Sequence, residues 1–315
     1  MAAVGLLLPG FASRGLAEVK LTDAFSVGGF VSESYQRTDF RPGSSADHFG
    51  LDDAFLRFQA ASGRVSAVTS LYHLPDAVPE TALLDAYVTY DLGRGLSLTG
   101  GKFLANLGYE EFFAVDNPTI TYGNGDGYDP IPGYHSGLRV DDESVRWVFG
   151  AALLDSLSPA GTGSAGDGEL RHNQGYEGFV SFQGIPKMVL TGGVGYEGGG
   201  GPANAAVLYD FWATYQLTAS TLLVADWTKK DGGTGDRGKT WLVRVEHGLT
   251  DRVSLAARVS GDQADRGPGW ARYTFVAALK VTPQLTLRAE YTRTNFRGSA
   301  VDRASFCAIQ AYLEF

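Results

Sequence analysis

The chain has 315 residues, of which 42 are Gly, 5 Trp, 15 Tyr and 18 Phe, while only 19% are charged. Gly at roughly twice the usual ~7% disfavours a helical protein, and so high an aromatic content disfavours a disordered one. A net charge of -9 argues against a nucleic-acid partner, and a single cysteine, Cys307, excludes an internal disulfide and any multi-cysteine metal site.

The first segment reads as an export signal. Val-Gly-Leu-Leu-Leu-Pro-Gly-Phe over residues 4–11 is a short charge-free apolar block, and Gly15-Leu16-Ala17 offers small residues for cleavage after Ala17, leaving 298 residues. The block is short and no charged region precedes it. Further on, no apolar run approaches the roughly 18 to 20 residues of a spanning helix. The longest is Trp147 to Leu154, so a membrane helix is excluded and a membrane protein is not.

From Phe25 onward the dominant signal is alternation of apolar and polar residues, the mark of a strand with one apolar face. Examples are Trp241, Val243 and Val245 around Arg244; Val253, Leu255, Ala257 and Val259 around Arg258; and Leu285, Leu287, Ala289 and Tyr291 around Arg288 and Glu290. Seven tight turns, among them Ser62-Gly63, Gly93-Arg94-Gly95 and Thr282-Pro283-Gln284, alternate with longer loops at 38–50, 73–81, 105–132, 156–174, 197–203, 230–239, 261–269 and 296–302. The segmentation predicts strands near residues 24, 51, 64, 82, 95, 133, 145, 175, 187, 204, 221, 239, 252, 270, 284 and 303. That is sixteen, and 12 to 18 stay open because the segments near 95 and 187 are Gly-rich and weakly patterned. An even count with short turns on one side and long loops on the other fits an all-β, antiparallel up-and-down transmembrane barrel over 18–315, with periplasmic turns and external loops.

Alternation alone does not say which face meets which solvent, and a large soluble all-β protein such as a propeller alternates too. Three features favour lipid outside and water inside: the export-like start, the aromatics Tyr215, Trp227, Trp241 and Tyr291 near strand ends, and termination at Phe315 within a strand. The last strand, with Ile309, Ala311, Leu313 and Phe315 on one face, looks like the signal read by outer-membrane assembly machinery.

Val27-Gly28-Gly29-Phe30-Val31-Ser32-Glu33-Ser34-Tyr35, Leu51-Asp52-Asp53-Ala54-Phe55-Leu56-Arg57, and Leu84-Asp85-Ala86-Tyr87 through Gly100-Gly101-Lys102-Phe103 resemble the OmpL-like β-barrel porins of Gram-negative bacteria. Leu107-Gly108-Tyr109-Glu110 and Asn117-Pro118 extend the likeness, which covers about the first 140 residues and the final strand. The resemblance implies an outer-membrane diffusion channel for small hydrophilic solutes, in contact with outer-membrane lipid, with no cofactor. Resemblance to porins also carries the expectation of a homotrimer.

The predicted third loop, Ala105 to Pro132, carries Glu110, Glu111, Asp116, Asp126 and Asp129 and no Lys or Arg. The organisation resembles that of general porins, in which this loop folds into the lumen, making it the candidate constriction. Its five aromatics, Tyr109, Phe112, Phe113, Tyr122 and Tyr128, speak against full solvation. Arg57, Arg244, Arg258 and Arg288 lie on polar faces, five to seven residues from their tight turns, which predicts a shared height and a basic wall opposite the acidic loop. The competing expectation is local pairing, of Arg244 with Asp226 or Arg288 with Glu290. Asp47, Asp167, Asp231 and Asp236 lack metal-ligand spacing and read as solvated.

Enzyme chemistry has little support. The five histidines are scattered, and Gly198 to Gly201 is followed by Pro202 and not by a phosphate-binding Lys. The leading expectation is a porin; the alternative is a narrow or plugged barrel serving as adhesin, receptor or structural anchor. A hydrolase built on His247 is the third.

Overall fold

The computed structural model describes residues 18–75, 77, 79–123, 131–157, 174–198, 205–232, 238–264 and 269–315. The proposed export signal, Asp126, Tyr128, Asp129, Asp167, His172, Gly199 to Pro202 and Asp236 lie outside them.

Seventeen strands follow in chain order: β1 (Glu18–Thr22), β2 (Phe25–Arg41), β3 (Ser45–Ser62), β4 (Val65–His73), β5 (Thr81–Gly93), β6 (Leu96–Leu104), β7 (Tyr134–Glu143), β8 (Trp147–Leu154), β9 (Gly175–Ile185), β10 (Met188–Glu197), β11 (Ala206–Thr218), β12 (Thr221–Gly232), β13 (Gly238–Gly248), β14 (Val253–Ala264), β15 (Gly269–Lys280), β16 (Leu285–Arg297) and β17 (Arg303–Glu314). Each of β2 to β17 pairs antiparallel with the next, and β17 closes on β2 with Glu314 opposite Phe30 and Arg303 opposite Arg41. The result is a closed sixteen-stranded barrel, in which every strand has two partners and no sheet edge is exposed to lipid. β1 is a short addition that pairs with the start of β2, Glu18 opposite Gly28, just beyond the point where Phe315 meets Gly29. No helix among the described residues is long and apolar enough to cross a membrane.

Burial fixes the orientation that alternation left open. Ile309 is 63% exposed and Phe275 60%, whereas Arg258 is 1% and Thr274 0% exposed. The apolar face thus points out of the barrel and the polar face in, the reverse of a water-soluble sandwich.

Strand starts follow the alternation closely, with one clear difference. Residues 38–50 are not a loop; β2 and β3 run on as a ladder to Asp39 opposite Ser45, leaving 42–44 as the turn. The alternation is lost here for two physical reasons. A register shift between Ser32 and Glu33 turns both Asp52 and Asp53 toward the lumen, and beyond it the hairpin carries polar residues on both faces, as a ladder outside hydrocarbon is free to do. The weakly patterned strand near 187 is real, and its glycines have a use: a Cβ on Gly193 would sit 2.3 Å from Leu107, and one on Gly195 2.8 Å from Leu157. Absent side chains on β10 make room for the loop that enters the barrel.

Candidate pore constriction

The chain leaves β6 at Leu104 and turns inward. Two carboxylates on the far wall receive its backbone: Asn106 N–H donates to Glu177 Oε1 at 2.7 Å and Gly108 N–H to Asp210 Oδ2 at 2.9 Å. Leu107 packs with Phe103, Ala152, Leu154, Leu157 and Leu208, and Gly108, at φ +94°, supplies the left-handed turn. Tyr109 then stacks edge-on against Trp212, with ring centroids 5.3 Å apart, and burial pushes its hydroxyl up to about 12, so it stays neutral.

The next stretch is fastened along the wall formed by β13 to β16. Glu110 Oε1 lies 2.7 Å from Arg258 Nη1 and 3.5 Å from Arg244 Nη1. Arg258 also donates to Thr119 Oγ1 at 2.8 Å and to the Thr121 carbonyl at 2.6 Å. Arg288 donates to the carbonyls of Ala114 at 2.9 Å and Asn117 at 2.6 Å, at either side of a short 3-10 turn, Ala114–Asp116. Glu290 works in the opposite sense, accepting Ile120 N–H at 2.5 Å and the Thr121 hydroxyl at 2.5 Å. The loop knots itself through Asn117, whose Oδ1 accepts from Glu111 N–H at 3.0 Å and whose Nδ2 donates to the Glu111 carbonyl at 2.8 Å. Phe113 inserts between Phe30 and Phe55, at centroid distances of 5.3 and 4.5 Å, and packs on Tyr72. Charge-assisted bonds dominate this set, and within a lumen screened from bulk water they are worth more than at a free surface.

Of the seven residues singled out by sequence, the structure brings four together: Glu110, Arg244, Arg258 and Arg288. The expected arrangement, acids facing a basic wall across open space, is not what these four make. The loop lies on the wall and seals it, so that the side chains of Arg258, Arg244 and Glu110 are only 0%, 3% and 4% exposed. Opposite charges in a low-dielectric interior attract, and a loop without cations has nothing of its own with which to neutralise Glu110. The local pairings take other forms than expected. Arg244 meets Glu246 at 2.9 Å, and Arg288 bonds Gln310.

Arg57 stands apart. It pairs with Asp85 at 3.0 Å on the β3 to β5 wall and keeps a side chain 20% exposed. A cavity of about 650 Å³ is lined there by Arg57, Asp85 and Arg139 from the wall and by Glu110, Glu111 and Asp116 from the loop. A second space of about 760 Å³ opens near the tight turns, with Val115, Asn117 and Pro118 among its lining residues. The 113–118 segment therefore separates two vestibules, with Asp116 on one side and Asn117 on the other.

Sequence reasoning missed Arg272, Glu290 and Arg139 as members of the site. Arg272 donates to the Tyr122 carbonyl at 2.6 Å. It lies nine positions before Val281, so a filter on equal distance from the turn passed it over, although the descending loop touches the wall at several heights. Arg139 bonds Asp141 at 2.8 Å and Asn106 at 3.3 Å. His247 shares a 2.9 Å bond with Thr221 across the strand pair. Asp231 pairs with Lys229, and no cluster of potential metal ligands occurs among the described residues.

Residues 25–309 match the family described as "Putative beta-barrel porin-2, OmpL-like". The match runs through the middle of the chain, beyond the stretches that carry the resemblance in the sequence. None of the curated proteins compared with the chain matches it. Among solved structures it is similar to OmpF of Salmonella typhi in complex with daunomycin, with 11% identity, TM-score 0.75, and 95% and 100% of the two chains covered. An anion-selective porin of Comamonas acidovorans gives 12%, 0.67, and 93% and 99%. OmpT of Vibrio cholerae in a trimer form gives 10%, 0.65, and 93% and 100%. At such identities the likeness is one of fold. The chain belongs to the OmpL-like β-barrel porin family of outer-membrane channels, which are not enzymes.

Proposed function

We propose that this porin is a narrow diffusion pore for small hydrophilic solutes, constricted by the loop at 105–132 and biased toward cationic over anionic ones. One observation carries the bias. The arginines that would attract anions are sealed behind the loop, while the cavity is lined by four carboxylates, Asp85, Glu110, Glu111 and Asp116, against two guanidinium groups, Arg57 and Arg139. Carboxylates thus outnumber guanidinium groups on the lining four to two, which gives the cavity a negative potential. Residues 1–17 act as the cleaved export signal, Phe315 as the contact to the assembly machinery, and the mature barrel assembles as a homotrimer.

Planar-bilayer recording tests the pore. Stepwise, ohmic openings are expected, with a cation-favouring reversal potential in a salt gradient that moves toward zero in Glu111→Gln/Asp116→Asn. The apolar packing of Phe113 and Val115 against Phe30, Phe55 and Tyr312 favours a second reading, a plugged barrel whose outer surface does the work. A folded barrel that stays electrically silent would decide for it.

A further inference from the structure

The luminal face is polar around only part of the barrel. On β12 to β16 it carries Thr228, Thr240, Ser260, Thr274, Thr292 and Thr294, as a water-filled bore requires. On β2 to β6 the luminal side chains include Phe30, Phe55, Tyr72, Tyr87 and Phe103, with Leu84 beside them.

Seating the third loop accounts for part of this carbon. Phe30, Phe55 and Leu84 receive Phe113 and Val115, and Phe103 receives Leu107. Tyr72 and Tyr87 on the wall and Phe112 and Tyr122 on the loop nevertheless stay partly exposed, and all four line the cavity of about 650 Å³. Passage of hydrated ions has no use for bare ring carbon, whereas apolar surface left open to water inside a concave site is a place to bind.

The rings are held in place. Tyr72 and Phe112 meet with centroids 6.1 Å apart and planes at 70°, and Phe112 meets Tyr134 at 4.9 Å and 81°. The Tyr72 hydroxyl donates to Asp53 Oδ2 at 3.1 Å and the Tyr122 hydroxyl to the Phe112 carbonyl at 2.6 Å, so both phenol protons are spent within the protein and ring carbon is what a solute meets. Among the described residues the lining holds eight aromatic rings and six charged groups, the latter four carboxylates and two guanidinium groups. The two cations already lie over rings of the wall, Arg57 5.0 Å from the Phe55 centroid and Arg139 4.8 Å from that of Phe103. Ring faces attract positive charge, so the aromatic lining and the excess of carboxylates favour the same sign.

We infer that this cavity is a binding site for organic ammonium ions with a compact apolar body, such as single-ring amines. The body lies against Tyr72, Tyr87, Phe112 and Tyr122, and Glu111 and Asp116 of the loop hold the ammonium. A volume of about 650 Å³ is of the size that encloses a small organic molecule. The site lies on the side of the 113–118 segment away from the tight turns, so a solute entering from outside reaches it before that segment. The inference rests on the cation bias proposed above and names the kind of cation that the pore retains.

Single-channel recording of the full chain in planar bilayers tests it with three solutes: 2-phenylethylammonium; ethanolammonium, which has the charge without the ring; and phenylacetate, which has the ring with the opposite charge. The first is expected to interrupt the current at concentrations at least about ten-fold lower than either of the others, because burial of the ring adds to the attraction of the charge. Tyr87→Thr should raise its half-blocking concentration about five-fold and leave that of ethanolammonium unchanged, whereas Glu111→Gln/Asp116→Asn should weaken block by both amines. Equal block by the two amines, stronger block by phenylacetate, or a ring preference that Tyr87→Thr and Tyr72→Thr both leave intact overturns this site. A cation-favouring reversal potential in the same recordings then leaves the proposed bias standing, while an anion-favouring one or a silent barrel overturns both. Should the tyrosine variants fail to fold, as read from heat-modifiable migration, the ranking of the three solutes on the wild-type pore decides.

Discussion

Two walls of the same lumen use arginine in different ways. On β13 to β16, Arg244, Arg258, Arg272 and Arg288 are 3%, 1%, 3% and 2% exposed, because the third loop covers them and takes their hydrogen bonds. Across the cavity, Arg57 and Arg139 pair with acids of their own wall, Arg139 touching the loop only through Asn106, and each keeps a side chain 20% exposed. All six lie on luminal faces of strands. What separates a rivet from a pore-lining charge is whether a carboxylate and a row of backbone carbonyls arrive from elsewhere in the chain.

The two walls should respond most differently to loss of Arg258. Arg258→Ala leaves Glu110 buried beside one remaining guanidinium and frees Thr119 and Thr121, so it is expected to cost about 3 to 5 kcal/mol locally. Because that energy holds the loop down, the loop should detach and single-channel conductance should rise about two-fold or more. Unchanged conductance in a folded variant would mean that the loop is held by its apolar contacts alone.

Arg57→Ala probes the other wall. It removes one of the two guanidinium groups lining the cavity and leaves the loop contacts untouched, so conductance should hardly change while the reversal potential moves further toward cation preference. An equal gain in conductance at Arg57 and Arg258 would erase the distinction between the walls. Glu111→Gln/Asp116→Asn should move the reversal potential the other way, with the loop in place. The smallest expected effect is that of Tyr122→Phe, which loses the 2.6 Å bond to the Phe112 carbonyl and should cost about 1 kcal/mol in thermal unfolding with conductance preserved.

Much of the barrel was legible because lipid imposes a strict period of two. Every barrel strand except β3 begins within two residues of its predicted start. Legibility failed where hydrocarbon ends, as in the β2 to β3 hairpin, where both faces are polar. It also failed at β1, five residues with no partner but the start of β2. The site was only half legible. Residue type and strand phase placed Arg244, Arg258 and Arg288 on the luminal face, and the acidic loop was found by composition. That Glu110 binds those arginines depends on the path of the loop between 105 and 123, which is set by Glu177, Asp210 and the missing side chains of Gly193 and Gly195. These positions lie more than seventy residues on in sequence, and nothing local ties them to the loop.

The ion preference of the unmodified pore tests the account most directly. In a salt gradient across a planar bilayer, the reversal potential should correspond to cations crossing more readily than anions, as expected if Glu111 and Asp116 meet the passing ions while the four arginines of β13 to β16 do not. A stable anion preference would mean that those arginines face the solution, and the sealed wall described here would be contradicted.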